Sequence, residues 1–188
     1  MRDAISITRL THGTFELRTR QWVPAPLQGV FAFFSEAGNL ELLTPEFLAF
    51  HILTQPPLVM RQGLRIDYRI RLHKLPLRWR SEITCWNPPH RFVDEQVKGP
   101  YRTWRHEHTF EEQDGGTVVR DHVVYEVWGG ALINRLFVEP DLRRVFAFRQ
   151  SSMHELFGST DSEGREPAPF NADSADIGRS NAGMGPAA

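Results

Sequence analysis

Apolar and polar side chains alternate along most of the middle of the chain. The pattern is cleanest over residues 64–72, where Leu64, Ile66, Tyr68, Ile70 and Leu72 share one face and Arg65, Asp67, Arg69 and Arg71 the other. A period of two marks a strand with one buried and one wet face. The same period predicts strands over 14–23, ended by Pro24 and Pro26, and over 48–52, ended by Pro56-Pro57. Leu75-Pro76 reads as a turn. Leu77, Trp79, Ser81, Ile83 and Cys85 then share one face of a strand that stops at Asn87-Pro88-Pro89. Residues 92–97 and 104–110 predict two further strands across a Gly99-Pro100 turn. Asp114-Gly115-Gly116 is a hairpin signal before a last strand over 117–128, with Val119, Asp121, Val123, Tyr125 and Val127 on one face.

Helical spacing takes over at two places. Leu27, Val30, Phe31 and Phe34 predict a short helix with Pro26 in its first turn, interrupted by Gly38. Leu40, Leu42 and Leu43 predict a second, stopping before Thr44-Pro45. After Gly129-Gly130, residues 131–138 read as a short helix. Glu139-Pro140-Asp141 then reads as the start of a long one, with its acids at the positive end of the helix dipole. Its stripe is Leu142, Val145, Phe146, Arg149, Met153 and Leu156, and Gly158 suits its end.

The order is one strand, two short helices, six strands and a long helix. Hairpin-length links imply an antiparallel meander of about seven strands, an α+β fold whose long C-terminal helix covers the buried face of the sheet. Residues 1–13 carry no period and read as a loose N-terminus, leaving 14–158 as the domain. Residues 159–188 contain only Phe170, Ile177 and Met184 as large apolar side chains. Such a tail cannot bury enough surface to offset its ordering entropy and is expected to be disordered.

Composition narrows the function. With 22 basic and 23 acidic side chains there is no global basic field, so nucleic acid is not an expected partner. The arginines of residues 61–80 alternate with apolar side chains, as on a solvated strand face. Cys85 is the lone cysteine, which excludes an internal disulfide and fits a reducing, cytoplasmic setting. No apolar leader is seen in the first thirty residues, and no run is long and apolar enough to span a bilayer. Phosphate-loop, dinucleotide and nucleophile-elbow motifs are absent, so no cofactor is expected. The oligomeric state is left open.

The most informative stretch is 92–110. Its alternation puts Phe92, Asp94 and Gln96 on one strand face and Trp104, His106, His108 and Phe110 on the next. Aromatic rings mixed with carboxylate, amide and imidazole suit the wall of a partly polar pocket better than a dry core. His106 and His108 lie roughly 7 Å apart on one face, a spacing that can serve a metal with a third ligand from Asp94, Asp121 or His122. With no closer ligand cluster, the expectation is that no metal is held. Asp94, Gln96 and Asp121 point inward and need partners. Arg149, inside an apolar stripe, is expected to reach Asp94, Asp121 or a polar ligand group. Tyr68, Trp79, Trp104 and Tyr125 are expected to line the space under the helix. Trp86 and Trp128 sit at strand ends.

The element order, with Phe31-Ala32-Phe33-Phe34-Ser35, Asn39-Leu40, Leu43-Thr44-Pro45, Gly99-Pro100-Tyr101, Trp104-Arg105-His106-Glu107-His108, Asp121 and Phe148-Arg149, resembles the START-like, birch-pollen-allergen-like SRPBCC superfamily over about residues 14–157. Related branches are the polyketide cyclase/dehydrase and coenzyme Q-binding domains. The resemblance implies a helix-grip fold with a cavity for a lipid, quinone, polyketide or similar hydrophobic ligand. It transfers no catalytic set. Three functions follow as expectations: binding or transport of such a ligand; a cyclase or dehydratase using His106, His108 and Asp94 as acid/base groups; or an interaction protein whose cavity is filled by its own side chains.

Overall fold

A computed structural model describes residues 5–11 and 13–158. The expected disorder of 159–188 lies outside the described residues, as do 1–4 and His12 of the expected loose start. Eight strands form one antiparallel sheet: β1 (Ser6–Arg9), β2 (Thr14–Val23), β3 (His51–Ile52), β4 (Arg65–Leu72), β5 (Leu75–Asn87), β6 (Arg91–Lys98), β7 (Thr103–Gln113) and β8 (Gly116–Glu126). Their order is β1-β2-β8-β7-β6-β5-β4-β3. The meander thus runs from β3 to β8, and β2 joins its far side by pairing with β8. Helix α1 (Leu27–Ser35) follows β2, and α2 (Gly130–Ile133) and α3 (Glu139–Gly158) follow β8. A curved antiparallel sheet gripping a long C-terminal helix is the helix-grip α+β fold.

The local reasons are those of the sequence pattern. Helix α1 buries Leu27, Val30, Phe31 and Phe34, the four residues of its apolar stripe. β4 buries Ile66 and Ile70. The β7–β8 turn places Asp114 and Gly115 at φ 52° and 74°, the left-handed pair that a two-residue hairpin requires.

Several expectations are corrected. Ser6–Arg9, read as loose, is an edge strand along β2; its exposure removes the inside–outside contrast that alternation needs. Residues 48–52 are not one strand: Glu46–Leu48 is a 3₁₀ turn ending at left-handed Ala49, and only His51–Ile52 pairs with β4. The second short helix is a 3₁₀ turn at Ala37–Leu40. The β4–β5 turn falls at His73-Lys74, both at positive φ, while Leu75 and Pro76 already pair within the hairpin. A bulge between Ile83 and Cys85 reverses the side-chain parity of β5. Cys85 therefore faces outward, with its Sγ 3.3 Å from Arg91 Nη1, and Trp86 turns inward onto Phe31 and Phe92.

The long helix does not begin afresh at Glu139. Backbone at Asn134 and Glu139 stays helical, and α2 runs into α3 through a π turn, Asn134–Val138. The wider turn precedes Pro140, whose ring would otherwise meet the carbonyl four residues back. Leu156, expected in the stripe, is exposed, and Ser152 is buried instead.

Two apolar clusters fill the interior. One gathers α1 with Val23, Ile83, Phe92, Phe110, Val119 and Met153. The other gathers Phe15, Leu17, Trp104, Val123, Tyr125, Leu142 and Phe146. A polar belt lies between them. Along β7 the inward residues run Trp104, His106, His108, Phe110; along β8, Val123, Asp121, Val119; along α3, Phe146, Arg149, Met153. Each element enters the belt from one cluster and leaves it into the other.

Candidate ligand cavity and its polar belt

A cavity of about 210 Å³ lies between the sheet and α3. β4 and β5 supply Ile66, Tyr68, Ile70 and Trp79 to its wall; β6 and β7 supply Phe92, Asp94, Trp104, His106 and His108; α3 supplies Leu142, Phe146 and Arg149. Most of this wall is apolar, and the charged groups converge on one part of it.

The belt is built across four elements. β6 and β7 pair Asp94 with His106, and β7 and β8 pair His108 with Asp121. Asp121 Oδ1 lies 3.1 Å from His106 Nε2, 3.0 Å from His108 Nδ1 and 3.2 Å from Arg149 Nη2. Its Oδ2 accepts a hydrogen bond of 2.9 Å from the Thr19 hydroxyl on β2. Asp94 Oδ2 faces the other ring nitrogens, His108 Nε2 at 3.2 Å and His106 Nδ1 at 3.7 Å. The two imidazoles have centroids 3.8 Å apart, much closer than flat-strand spacing predicts. His108 also stacks on Phe92 at 4.1 Å. The Arg149 guanidinium lies 5.0 Å from the Phe34 ring centre.

Burial opposes charge on Asp121, but Arg149 and the hydrogen bonds from His106 and His108 outweigh it and hold the carboxyl well below the ordinary aspartate value. Asp94 is lowered too: burial raises it, and His108, His106 and Arg149 together more than reverse that. Burial, then the neighbouring His108, lowers His106 to about 4, so its folded form is a neutral imidazole near pH 7. Burial first, then the Asp94 charge, raises the Tyr68 phenol, which stays a neutral donor. The belt can therefore exchange protons with a cavity ligand, or hold a cation. Asp94, His106 and His108 each offer one ligand atom, all within 4.8 Å of one another.

Of the residues singled out in the sequence, Tyr68, Trp79, Asp94, Trp104, His106, His108 and Arg149 meet at this cavity. Gln96, Asp121 and Tyr125 do not line it. The Gln96 amide is bonded to the backbone of Tyr101 on both sides, which pins the β6–β7 turn. A Cβ at Gly99 would collide with that amide. Asp121 stands behind the imidazoles, and Tyr125 donates to Asn134 at 3.0 Å. His122 faces the outer side of the sheet, against Glu16 at 3.1 Å, and joins no inner cluster. Trp86, half-buried, packs against the core around α1, and Trp128 is exposed beneath Arg102. Sequence reasoning missed Thr19 and Tyr101. The period-two face Phe15, Leu17, Thr19, Gln21, Val23 carried the signal for Thr19.

Comparison with known proteins places this geometry. No curated protein matches the sequence. Solved structures do. Protein Ms6760 from Mycobacterium smegmatis aligns with 18% identity and a TM-score of 0.58, covering 83% of this chain and 100% of that one. The nucleoside-diphosphate sugar epimerase from Corynebacterium glutamicum aligns with 27% identity and a TM-score of 0.53, covering 73% of this chain but only 28% of that longer chain. The ginseng major latex-like protein 151 from Panax ginseng aligns with 10% identity and a TM-score of 0.55, covering 77% and 98%. The family model described as polyketide cyclase / dehydrase and lipid transport matches residues 23–149, from the end of β2 to Arg149 itself. On that match and this fold, the chain belongs to the polyketide cyclase/dehydrase and lipid-transport family of the SRPBCC superfamily.

Proposed function

We propose that the protein binds a hydrophobic small molecule with at least one acceptor oxygen, such as a quinone, a polyketide or a lipid, in the cavity under α3. The observation that carries this reading is a chiefly apolar cavity whose wall includes two buried donors without a partner among the described residues, Trp79 Nε1 and Arg149 Nε. An unpaired buried donor costs about 1–3 kcal/mol, which an acceptor on a ligand would recover. The family description supports a hydrophobic ligand at that coarse level. The open space weighs against an interaction protein with a filled interior. Cys85, free and partly buried, suits a cytoplasmic setting, and no described helix is long and apolar enough to cross a membrane.

Native mass spectrometry of protein purified from several hosts should show a co-purified apolar species. Repeated absence, with no quenching of Trp79 and Trp104 fluorescence by added quinones or fatty acids, would sink the proposal.

A second reading, a cyclase or dehydratase, is favoured by one observation: Asp94, His106 and His108 share the wall of the same cavity, and His106 is held neutral and able to accept a proton. Under it, His106→Gln and His108→Gln abolish turnover while the unfolding midpoint barely moves. If both variants mainly unfold, the imidazoles serve structure.

A further inference from the structure

The ring nitrogens of His106 and His108 divide into two sets. The outer set, His106 Nε2 and His108 Nδ1, converges on one oxygen of Asp121 at 3.1 and 3.0 Å. A carboxylate oxygen only accepts, so His106 Nε2 carries its proton toward it. His108 Nδ1 also lies 3.1 Å from Arg149 Nη2, which donates to it and leaves the His108 proton on Nε2. Thr19 holds the second oxygen of Asp121, and Arg149 reaches the same oxygen as the imidazoles. The inner set, His106 Nδ1 and His108 Nε2, faces Asp94 Oδ2 at 3.7 and 3.2 Å, and the shorter contact is a hydrogen bond from His108. Three potential ligand atoms thus face one another within 4.8 Å, and a cation that displaces the His108 proton would meet all three. The charge count agrees: Asp94 and Asp121 against Arg149 leaves one net negative charge before either imidazole is counted.

We propose that Asp94, His106 and His108 form a site for a divalent transition-metal ion of the zinc class, opening into the ligand cavity. Two imidazoles and one carboxylate are the donor set that zinc, cobalt and ferrous ions take, in preference to the all-oxygen sets of magnesium and calcium. Metal–ligand bonds of roughly 2.0–2.2 Å in a tetrahedron put donor atoms about 3.4 Å apart. The two separations from Asp94 Oδ2, 3.2 and 3.7 Å, bracket that value. Asp121 supplies the outer carboxylate that fixes the orientation of both imidazoles, an arrangement metal-binding histidines regularly use. All three ligand residues line the cavity, so the remaining coordination position faces it. That position suits an oxygen of a bound ketone, enolate or carboxylate. The site stands whether or not an apolar ligand occupies the cavity.

The test uses the full-length protein, stripped with a chelator and titrated with Co²⁺ or Zn²⁺ alone. One ion per chain is expected, with the visible absorption of a four-coordinate cobalt centre carrying nitrogen and oxygen donors. Asp94→Ala abolishes binding. Asp121→Asn, which keeps the outer contact's shape, weakens it about 10–100-fold. His122→Gln, on the outer face, leaves it unchanged. Circular dichroism confirms that each variant is folded, and Asp94→Asn replaces Asp94→Ala if the latter is not. Two outcomes overturn the proposal. One is a folded wild-type protein that takes up neither ion, in which case a proton alone fills the inner triangle. The other is stoichiometric binding that survives loss of Asp94 and of His108, which places the ion elsewhere.

Discussion

The apolar cluster around α1 and the polar belt beside it are made by neighbouring residues of the same strands, yet they are held together differently. Phe110 and Phe31 meet edge to face at 5.4 Å, and Phe34 and Phe92 crowd the same ring. Losing one contact there leaves several others, because apolar packing is non-directional. Two residues along β7, His108 sits between Asp94 and Asp121 with a specific oxygen at each ring nitrogen. Removing a partner in the belt leaves a buried charge or dipole with nothing to replace it. Neighbouring positions on one strand face are thus sensitive to volume in one case and to charge in the other.

This contrast can be broken by experiment. The largest effect is expected at Asp121. Asp121→Ala strands Arg149 and both imidazoles, and should cost about 3–5 kcal/mol in urea unfolding. Adding Arg149→Met to that background should recover most of the loss, and failure to recover would mean that packing, not charge, decides the belt. Next comes Phe110→Ala, with a loss of about 3–4 kcal/mol from cavity formation. Its loss should be the same at pH 7 and pH 5, because no ionisable group is uncovered.

The third expectation concerns pH. His106 is lowered to about 4 in the folded protein from 6.5. As pH falls through 6.5, the unfolded chain takes up this proton first, so stability drops between pH 6.5 and 4, by about 3 kcal/mol for this group. The groups facing it are Asp94 on β6, His108 on β7, Asp121 on β8 and Arg149 on α3. Asp94 and Asp121 are held below their ordinary values, so their contributions are lost only at lower pH still. His106→Gln should flatten the profile between 6.5 and 4, and an unchanged slope would move the effect to another group. The smallest effect is Tyr125→Phe. It removes one hydrogen bond to Asn134 and should cost about 1 kcal/mol by the same denaturation assay.

Much of this molecule was legible one strand at a time. The inward faces of β4, β6, β7 and β8 followed from alternation, because a hairpin meander keeps each strand's faces fixed relative to its neighbour. The stripe of α1 followed from its spacing. What alternation could not reveal was the bulge after Ile83, which exchanges the roles of Cys85 and Trp86. A bulge is a property of two paired strands, and neither strand shows it alone. The turn at His73-Lys74 was hidden for a similar reason. Pro76 reads as a breaker, but it sits near the end of the hairpin, paired with Arg71. Residues 48–52 alternate, yet pair only briefly at the sheet edge, so the pattern had little partner to organise it.

By itself, then, the sequence determined the inward faces of β4, β6, β7 and β8 and the stripe of α1, because burial and periodicity act within a single element. It identified His106, His108, Asp94, Asp121 and Arg149 as inward polar groups that need partners. Only the tertiary structure decided that these five meet, that Asp121 stands behind the imidazoles while Asp94 stands before them, and that Gln96 and Tyr125 serve the turn and the helix instead of the cavity. Those distinctions depend on register, sheet curvature and the rotation of α3. All three are set by the packing of two apolar clusters drawn from β2 to α3, which no local pattern encodes.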